Sequence, residues 1–260
     1  MALGCVRLLI EKRHLATVGE PRQNRRYRDR LMTIHFVLLP SPLLGAAVWE
    51  PVAAVLRGFG HVVTTATLRG PVRAPVEVLE GFLAAFPDGP VVLVPHSNAG
   101  LFVPALAARH RVLATVFVDA ALPPTKARTT TAAPAAFYDF LAAKADVTGV
   151  LPVWTEWWGE EEVNALFPDL ATRQRVEMQQ QRLPLAYFTE PLPVREGWDA
   201  EACAYLAFGD TYAEEVQGAR ERRWPVATAP GGHLEMLWQP NRVAHQVERL
   251  AHEVLGTNDR

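Results

Sequence analysis

The chain contains only two cysteines and two serines in 260 residues. Cys5 and Cys203 cannot form a framework of several disulfides, so a small disulfide-stabilised secreted scaffold is excluded, and we expect a reducing, cytoplasmic setting. No apolar stretch approaches the roughly eighteen residues of a membrane-spanning helix, so we expect no membrane partner.

Other absences bear on cofactors and partners. No group of histidines and cysteines has metal-ligand spacing, and the nucleotide-binding patterns Gly-x-Gly-x-x-Gly and Gly-x-x-x-x-Gly-Lys do not occur. The net charge of −2 indicates no polyanionic partner. We therefore expect no cofactor, no metal and no nucleic acid. Lysine is rare beside arginine, 3 against 23, which is typical of a high-GC bacterial genome.

Residues 1–31 differ in composition from the remainder. They carry eight basic and three acidic residues, whereas the remaining chain carries 18 basic and 25 acidic ones. The stretch Pro21–Arg30 is almost wholly polar, so we predict a disordered extension, with Met32 as the natural start of the protein. A basic arm that binds nucleic acid is the alternative interpretation. The folded domain is predicted over residues 32–260.

From Met32 onward, apolar strand-like stretches alternate with helical ones. Strands are predicted at Ile34–Leu39, His61–Thr67, Val91–Val94, Val112–Val118, Ala202–Phe208 and Val226–Ala229. This alternation predicts an α/β fold, a mostly parallel sheet with helices on both faces. Residues 122–195 interrupt the alternation with helical stretches, and we predict an inserted helical cap over the carboxyl ends of the strands, where such sheets bind ligands.

Ser97 lies on the tight turn between the apolar strand Val91–Val94 and the predicted helix Leu101–Arg109. A nucleophile on such a turn projects above the sheet and needs small neighbours, usually in the pattern Gly-x-Ser-x-Gly. Here proline and alanine occupy the two glycine positions, and a glycine follows one residue later. In a chain so poor in serine, this context favours a nucleophile over a simple helix cap.

A serine hydroxyl needs a base, and His233 is the best candidate. It follows the last predicted strand on a glycine-bearing loop, whereas the other histidines after residue 32 lie in or beside strands and helices. His96 adjoins Ser97, but its side chain is expected to point away from the serine.

At these residues the chain resembles the α/β-hydrolase superfamily, in the branch of small esterases, hydroxynitrile lyases and related bacterial hydrolases. The resemblance runs from Met32 to the C-terminus. It rests on Leu38-Leu39-Pro40-Ser41 with Trp49, on Val94-Pro95-His96-Ser97, on Val118-Asp119-Ala120 and on Gly231-Gly232-His233. It implies the α/β-hydrolase fold, but that fold hosts many reactions.

The acid that would orient His233 has two candidates. The resemblance implies an aspartate about three residues beyond the small residue that closes the sixth strand. There the chain has Thr211 and Tyr212, with Asp210 one or two positions early. Some members of the superfamily instead carry the acid at the strand end that Asp119 occupies here. Both carboxylates stay open, with a slight preference for Asp210.

The resemblance also implies an oxyanion hole with two donors. One is the backbone N–H of Asn98, and the other comes from the loop after the first strand. That loop has Ser41 followed by Pro42, and proline has no N–H. The Leu43 N–H and the Ser41 hydroxyl are the candidate substitutes. Loss of one donor costs on the order of a hundredfold in rate, which would weigh on ester hydrolysis more than on proton transfer.

Aromatic residues of the predicted cap supply the expected substrate surface, namely Phe137, Tyr138, Trp154, Trp157, Trp158, Phe167, Tyr187 and Phe188. Among them we single out Trp154 and Trp158. More than half of these aromatic residues should only pack the cap onto the core.

The sequence therefore predicts a cofactor-free serine hydrolase that acts on an ester, thioester or similar acyl bond of an apolar small molecule. The alternative is a non-hydrolytic lyase or cyclase that uses Ser97 and His233 as an acid–base pair on a small metabolite.

Overall fold

The computed structural model describes residues 33–257, so the predicted extension over residues 1–31 and the start at Met32 lie outside the described residues. The strands are β1 (His35–Leu39), β2 (Val62–Thr65), β3 (Val91–Ser97), β4 (Val112–Ala120), β5 (Thr129–Thr130), β6 (Leu192–Pro193), β7 (Cys203–Phe208) and β8 (Val226–Ala229). The α-helices are α1 (Glu50–Gly58), α2 (Pro75–Leu83), α3 (Val103–Ala107), α4 (Tyr138–Lys144), α5 (Glu160–Leu166), α6 (Leu170–Glu177), α7 (Leu185–Thr189), α8 (Ala213–Glu221), α9 (Glu235–Trp238) and α10 (Pro240–Thr257).

Six strands form one sheet in the order β2-β1-β3-β4-β7-β8, and every neighbouring pair is parallel. The predicted α/β architecture is confirmed. Strand β3 lies between β1 and β4, so Ser97 at its end is central. Because the carboxyl ends of parallel strands meet at one edge, the loops after β1, β3, β4, β7 and β8 converge around this serine.

Both faces of the sheet are buried, and β7 shows how the sequence achieves this. Ala204 and Leu206 pack into a core shared with α1 and α10. Tyr205 and Ala207, which point the opposite way, pack into a second core shared with α8. Strand side chains alternate between faces, so a strand buried on both sides must be apolar almost throughout.

The segment between β4 and β7 contains α4 to α7, in agreement with the helical content predicted for residues 122–195. It also contains an antiparallel ribbon of β5 and β6, which the sequence analysis did not predict because two-residue strands carry no periodicity. The segment contacts the loop after β1, where the Ala47 N–H donates to Gln179 Oε1 at 2.8 Å. Among residues 33–257, no helix has the length and apolar character needed to cross a membrane.

Candidate active site

Ser97 is the last residue of β3 and adopts φ 57° and ψ −130°, a conformation that residues other than glycine rarely take. A 3-10 helix, Asn98–Phe102, begins at the next residue and runs into α3. The helical segment therefore begins three residues before the predicted Leu101–Arg109. Its 3-10 opening makes the turn after the strand tighter than the sequence pattern indicates.

The glycine that this turn requires is Gly100. A Cβ atom there would lie 2.1 Å from the carbonyl oxygen of Ala121, so no side chain fits. Ala99, at the usual glycine position, is buried with its methyl group accommodated. The close approach between the turn and the end of β4 thus falls one residue later than in the usual pattern.

His233 lies on the loop after β8, and its Nδ1 atom is 2.7 Å from Asp119 Oδ2. Both side chains are buried. The other Asp119 oxygen, Oδ1, accepts the Phe208 N–H at 3.0 Å, so the carboxylate is held from two sides. Asp210 is exposed on the loop after β7. Of the two candidate acids, the structure brings Asp119 to the His233 ring, against the slight preference for Asp210.

Tyr205 holds the backbone beside this carboxylate. Its hydroxyl accepts the Ala120 N–H at 2.9 Å and donates to the Ala120 carbonyl oxygen at 2.7 Å. Burial, with the charge of Asp119, raises the pKa of Tyr205 well above its usual value, so the hydroxyl keeps its proton. Strand β4 consequently continues to Ala120, two residues past its predicted end. Sequence reasoning missed this role, because Tyr205 looks like any core residue of a strand.

His96 contacts the same loop from below. Its Nε2 atom donates to the backbone carbonyl oxygen of His233 at 3.0 Å, and the two ring centroids are 4.5 Å apart. Burial is the main cause that lowers the pKa of His96 well below its usual value, and the nearby His233 ring lowers it further. A neutral His96 supports the His233 loop without placing a positive charge beside it.

Ser41 is the second residue after β1, whose last residue, Leu39, pairs with Pro95 of β3, two residues before Ser97. The Leu43 N–H donates to Ser41 Oγ at 3.3 Å. The next two backbone N–H groups both donate to the Ser41 carbonyl oxygen. The turn therefore uses its own N–H groups internally, and the Ser41 hydroxyl hydrogen is the donor that these bonds leave available.

Asn98 joins the turn after Ser97 to the cap segment. Its Nδ2 atom donates to the Ala132 carbonyl oxygen at 2.6 Å, and its Oδ1 accepts the Tyr187 hydroxyl at 2.8 Å. Burial raises the pKa of Tyr187, which keeps the hydroxyl a donor. As the first residue of a helical turn, Asn98 has a backbone N–H without an intrahelical acceptor. Its side chain thereby fixes the direction of that N–H.

The cap tryptophans differ in their distance from this centre. The Trp154 ring is buried, with its centroid 6.4 Å from that of His233. Trp158 is half-buried and lies one layer further out, 6.3 Å from Trp154 and stacked on Phe140. The indole N–H of Trp157 donates to the Pro152 carbonyl oxygen, a bond that fixes the cap internally.

Tyr212 is a residue at the site whose role sequence reasoning missed. Its hydroxyl lies 3.3 Å from Ser97 Oγ, and its ring centroid is 5.8 Å from that of His233. The pattern placed Tyr212 where the resemblance implies an acid, which was the available indication that this position faces the serine.

One group of described residues has the donor set of a metal site, namely His61, Glu248 and His252. His61 Nε2 lies 3.0 Å from Glu248 Oε1, and His61 Nδ1 accepts the Ile34 N–H at 3.3 Å. A metal-bound histidine donates its second ring N–H, whereas this one accepts. His61 directly precedes β2, at the opposite end of the strands from Ser97, whereas Glu248 and His252 lie on α10. The two His61 bonds make it a structural contact between this end of the sheet and α10.

No protein-family model and no curated protein matches the chain. Solved structures match its fold. An extracellular α/β-hydrolase from a Paenibacillus species, described as sharing structural and functional homology with tobacco salicylic acid binding protein 2, has a TM-score of 0.66 and 17% identity, over 84% of this chain and 98% of that one.

Two further neighbours are of the same kind. Polyneuridine aldehyde esterase has a TM-score of 0.63 and 17% identity, over 85% of this chain and all of that one. A methylesterase from Arabidopsis has a TM-score of 0.61 and 14% identity, over 84% and 98%. The chain therefore has the α/β-hydrolase fold. At these identities the likeness extends to the fold and not to the reaction.

Proposed function

We propose that this protein is a serine hydrolase that cleaves an acyl bond, an ester or thioester, of an apolar small molecule. Ser97 is the nucleophile and His233 is the base that takes its proton and returns it to the leaving group. Asp119 holds the His233 ring with Nδ1 protonated, which leaves Nε2 free to act as the base.

The observation that carries this proposal is the buried 2.7 Å bond between His233 Nδ1 and Asp119 Oδ2 beside a strained serine turn. A structural histidine would not need an ionisable partner with no exposed surface, because burying a carboxylate is costly unless it is paired. The ends of two strands, β3 and β4, and the loop after β8 carry these residues, and the His233–Asp119 bond is the contact between base and orienting acid that nucleophilic catalysis by serine uses.

In this proposal the negative oxygen of the tetrahedral intermediate lies between the Asn98 N–H and the Ser41 hydroxyl. The missing N–H of Pro42 was the reason for considering a lyase or cyclase. Here the Ser41 hydroxyl, on the loop after the neighbouring strand β1, takes the place of that donor, so the loop no longer favours the non-hydrolytic alternative.

The aromatic side chains over the site support an apolar substrate. Trp154 lies against His233, and Tyr212 flanks the same ring. Large flat side chains bind bulky apolar groups by area burial and exclude water from the reacting atoms. The named activities of the structural neighbours, an esterase and a methylesterase, agree with an ester as substrate.

The test is covalent labelling followed by turnover. A fluorophosphonate probe should add to Ser97 of the folded protein, as located by mass spectrometry, and a panel of 4-nitrophenyl and alkyl esters of apolar acids should be hydrolysed. Ser97→Ala should abolish both, with unchanged thermal unfolding. A folded wild-type protein that shows neither adduct nor hydrolysis would refute the proposal.

A further inference from the structure

The loop after β7 carries a tyrosine directly over the nucleophile. Tyr212 immediately precedes α8, and its hydroxyl lies 3.3 Å from Ser97 Oγ. It approaches from the β7 side of the site, whereas Ser41 follows β1, on the other side of β3. The Tyr212 hydroxyl is therefore separate from the proposed oxyanion donors and acts on a different atom, the serine oxygen.

The acidities of the two hydroxyls decide which one donates. A phenol, with a pKa of about 10, is a far stronger acid than an aliphatic alcohol and is the better donor. With Tyr212 as donor and Ser97 Oγ as acceptor, the hydrogen of the serine hydroxyl stays available for His233. The tyrosine therefore does not compete with the base.

We propose that Tyr212 is a catalytic residue whose hydrogen bond to Ser97 Oγ promotes breakdown of the acyl-enzyme. This inference rests on the proposed serine-hydrolase function and assigns a step within it.

The step proceeds as follows in bonds and protons. His233 removes a proton from water, and the water oxygen bonds to the acyl carbon. The bond from that carbon to Ser97 Oγ then breaks, its electron pair stays on Oγ, and the proton returns from His233 to Oγ. Tyr212 keeps its own proton throughout and contributes the hydrogen bond alone.

The effect falls on deacylation because of a difference between the two ground states. In the free enzyme Oγ belongs to a hydroxyl, a good acceptor, so the Tyr212 bond already stabilises the state from which acylation begins. In the acyl-enzyme Oγ is an ester oxygen, a poorer acceptor, and it gains acceptor strength as the bond to the acyl carbon breaks. Only interactions stronger in the transition state than in the ground state accelerate a step.

Tyr212→Phe should therefore lower the turnover number of a 4-nitrophenyl ester by roughly tenfold, the effect of about one neutral hydrogen bond. Its kcat/KM, which reports acylation, should change by less than about threefold, so KM should fall together with kcat. Rapid mixing should show a burst of about one 4-nitrophenolate per active site, and mass spectrometry should find the acyl group on Ser97.

The control is Thr148→Val, which removes from the cap segment an exposed hydroxyl that donates to Asp146 Oδ1, and it should leave kcat and KM unchanged. The rate of fluorophosphonate labelling of Tyr212→Phe should equal that of the wild type, which shows that its site is folded. If kcat and kcat/KM fall equally without a burst, or neither changes, this inference is wrong while the proposed function stands. A wild-type protein that neither labels nor hydrolyses esters would remove both.

Discussion

The contact between Asp119 and His233 gives the sharpest test of the proposed chemistry. Both carboxylate oxygens are in use, Oδ2 by His233 Nδ1 at 2.7 Å and Oδ1 by the Phe208 N–H at 3.0 Å. In Asp119→Asn the side-chain oxygen should stay with Phe208, because the backbone N–H there can only donate. The new amide group must then face His233 and donate to Nδ1.

The consequence is a change of tautomer. A ring that accepts at Nδ1 carries its proton on Nε2 and cannot take one from Ser97. In the serine-protease triad the equivalent replacement costs about ten-thousandfold in kcat with the geometry intact, which sets the scale for a buried bond of this length. We expect Asp119→Asn to lower kcat by roughly 10³- to 10⁴-fold.

The assay is steady-state hydrolysis of the best ester found for the wild type, with thermal unfolding and circular dichroism to verify the fold. The matched control is Asp210→Asn, which removes the charge from the other candidate acid. Because Asp210 is exposed, its variant should retain activity within about threefold of the wild type. If Asp119→Asn keeps more than a tenth of wild-type activity, or Asp210→Asn loses most of it, the tautomer argument is refuted.

Three further predictions follow from packing and charge. Gly100→Ala should destabilise the protein by more than about 3 kcal/mol or prevent folding, because its Cβ would lie 2.1 Å from the Ala121 carbonyl oxygen. The control is Gly256→Ala, which has open space around it and should be neutral or slightly stabilising. Urea denaturation measures both. Ser41→Ala should lower kcat on the order of a hundredfold and should cost about 1 to 3 kcal/mol of stability, because the buried Leu43 N–H loses its acceptor; full activity in this variant would exclude the hydroxyl as an oxyanion donor. The pKa of His96 is lowered in the folded state, so below about pH 6.5 the unfolded chain binds a proton that the folded chain does not. In that range this residue costs about 1.4 kcal/mol of stability for each unit by which the pH falls. His96→Gln should therefore lose less stability than the wild type between pH 7.5 and 5.5, and equal losses would contradict a buried neutral ring.

The turn that carries Ser97 and the loop that carries His233 were predictable from local pattern. An apolar strand, a tight turn and a helix place Ser97 at a sheet edge whatever the rest of the chain does, because strand and helix periodicity are properties of neighbouring residues. A glycine-bearing loop after the last strand likewise indicates His233. The alternation of strands and helices predicts the parallel sheet for the same reason.

The partner of His233 depended on contacts that no local pattern contains. Asp119 and Asp210 each follow a buried strand, and residues 119 and 233 are 114 positions apart in the chain. Asp119 lies at an irregularity of β4, where the pairing with β3 shifts between Val118 and Ala120 and the Asp119 φ is 42°. The Tyr205 hydroxyl bonds both backbone groups of Ala120, the next residue, so a side chain from another strand holds this end of β4.

The sequence alone therefore determined the class of fold, the position of the candidate nucleophile and the candidate base, all of which follow from residue periodicity and turn chemistry. The tertiary structure decided which carboxylate meets His233, that the turn after β1 uses its own N–H groups, and that Tyr212 stands over Ser97. These depend on which loops the strand order brings together and on how far each strand extends. Both are set by packing between residues distant in the chain, so they arise only when the sheet is assembled.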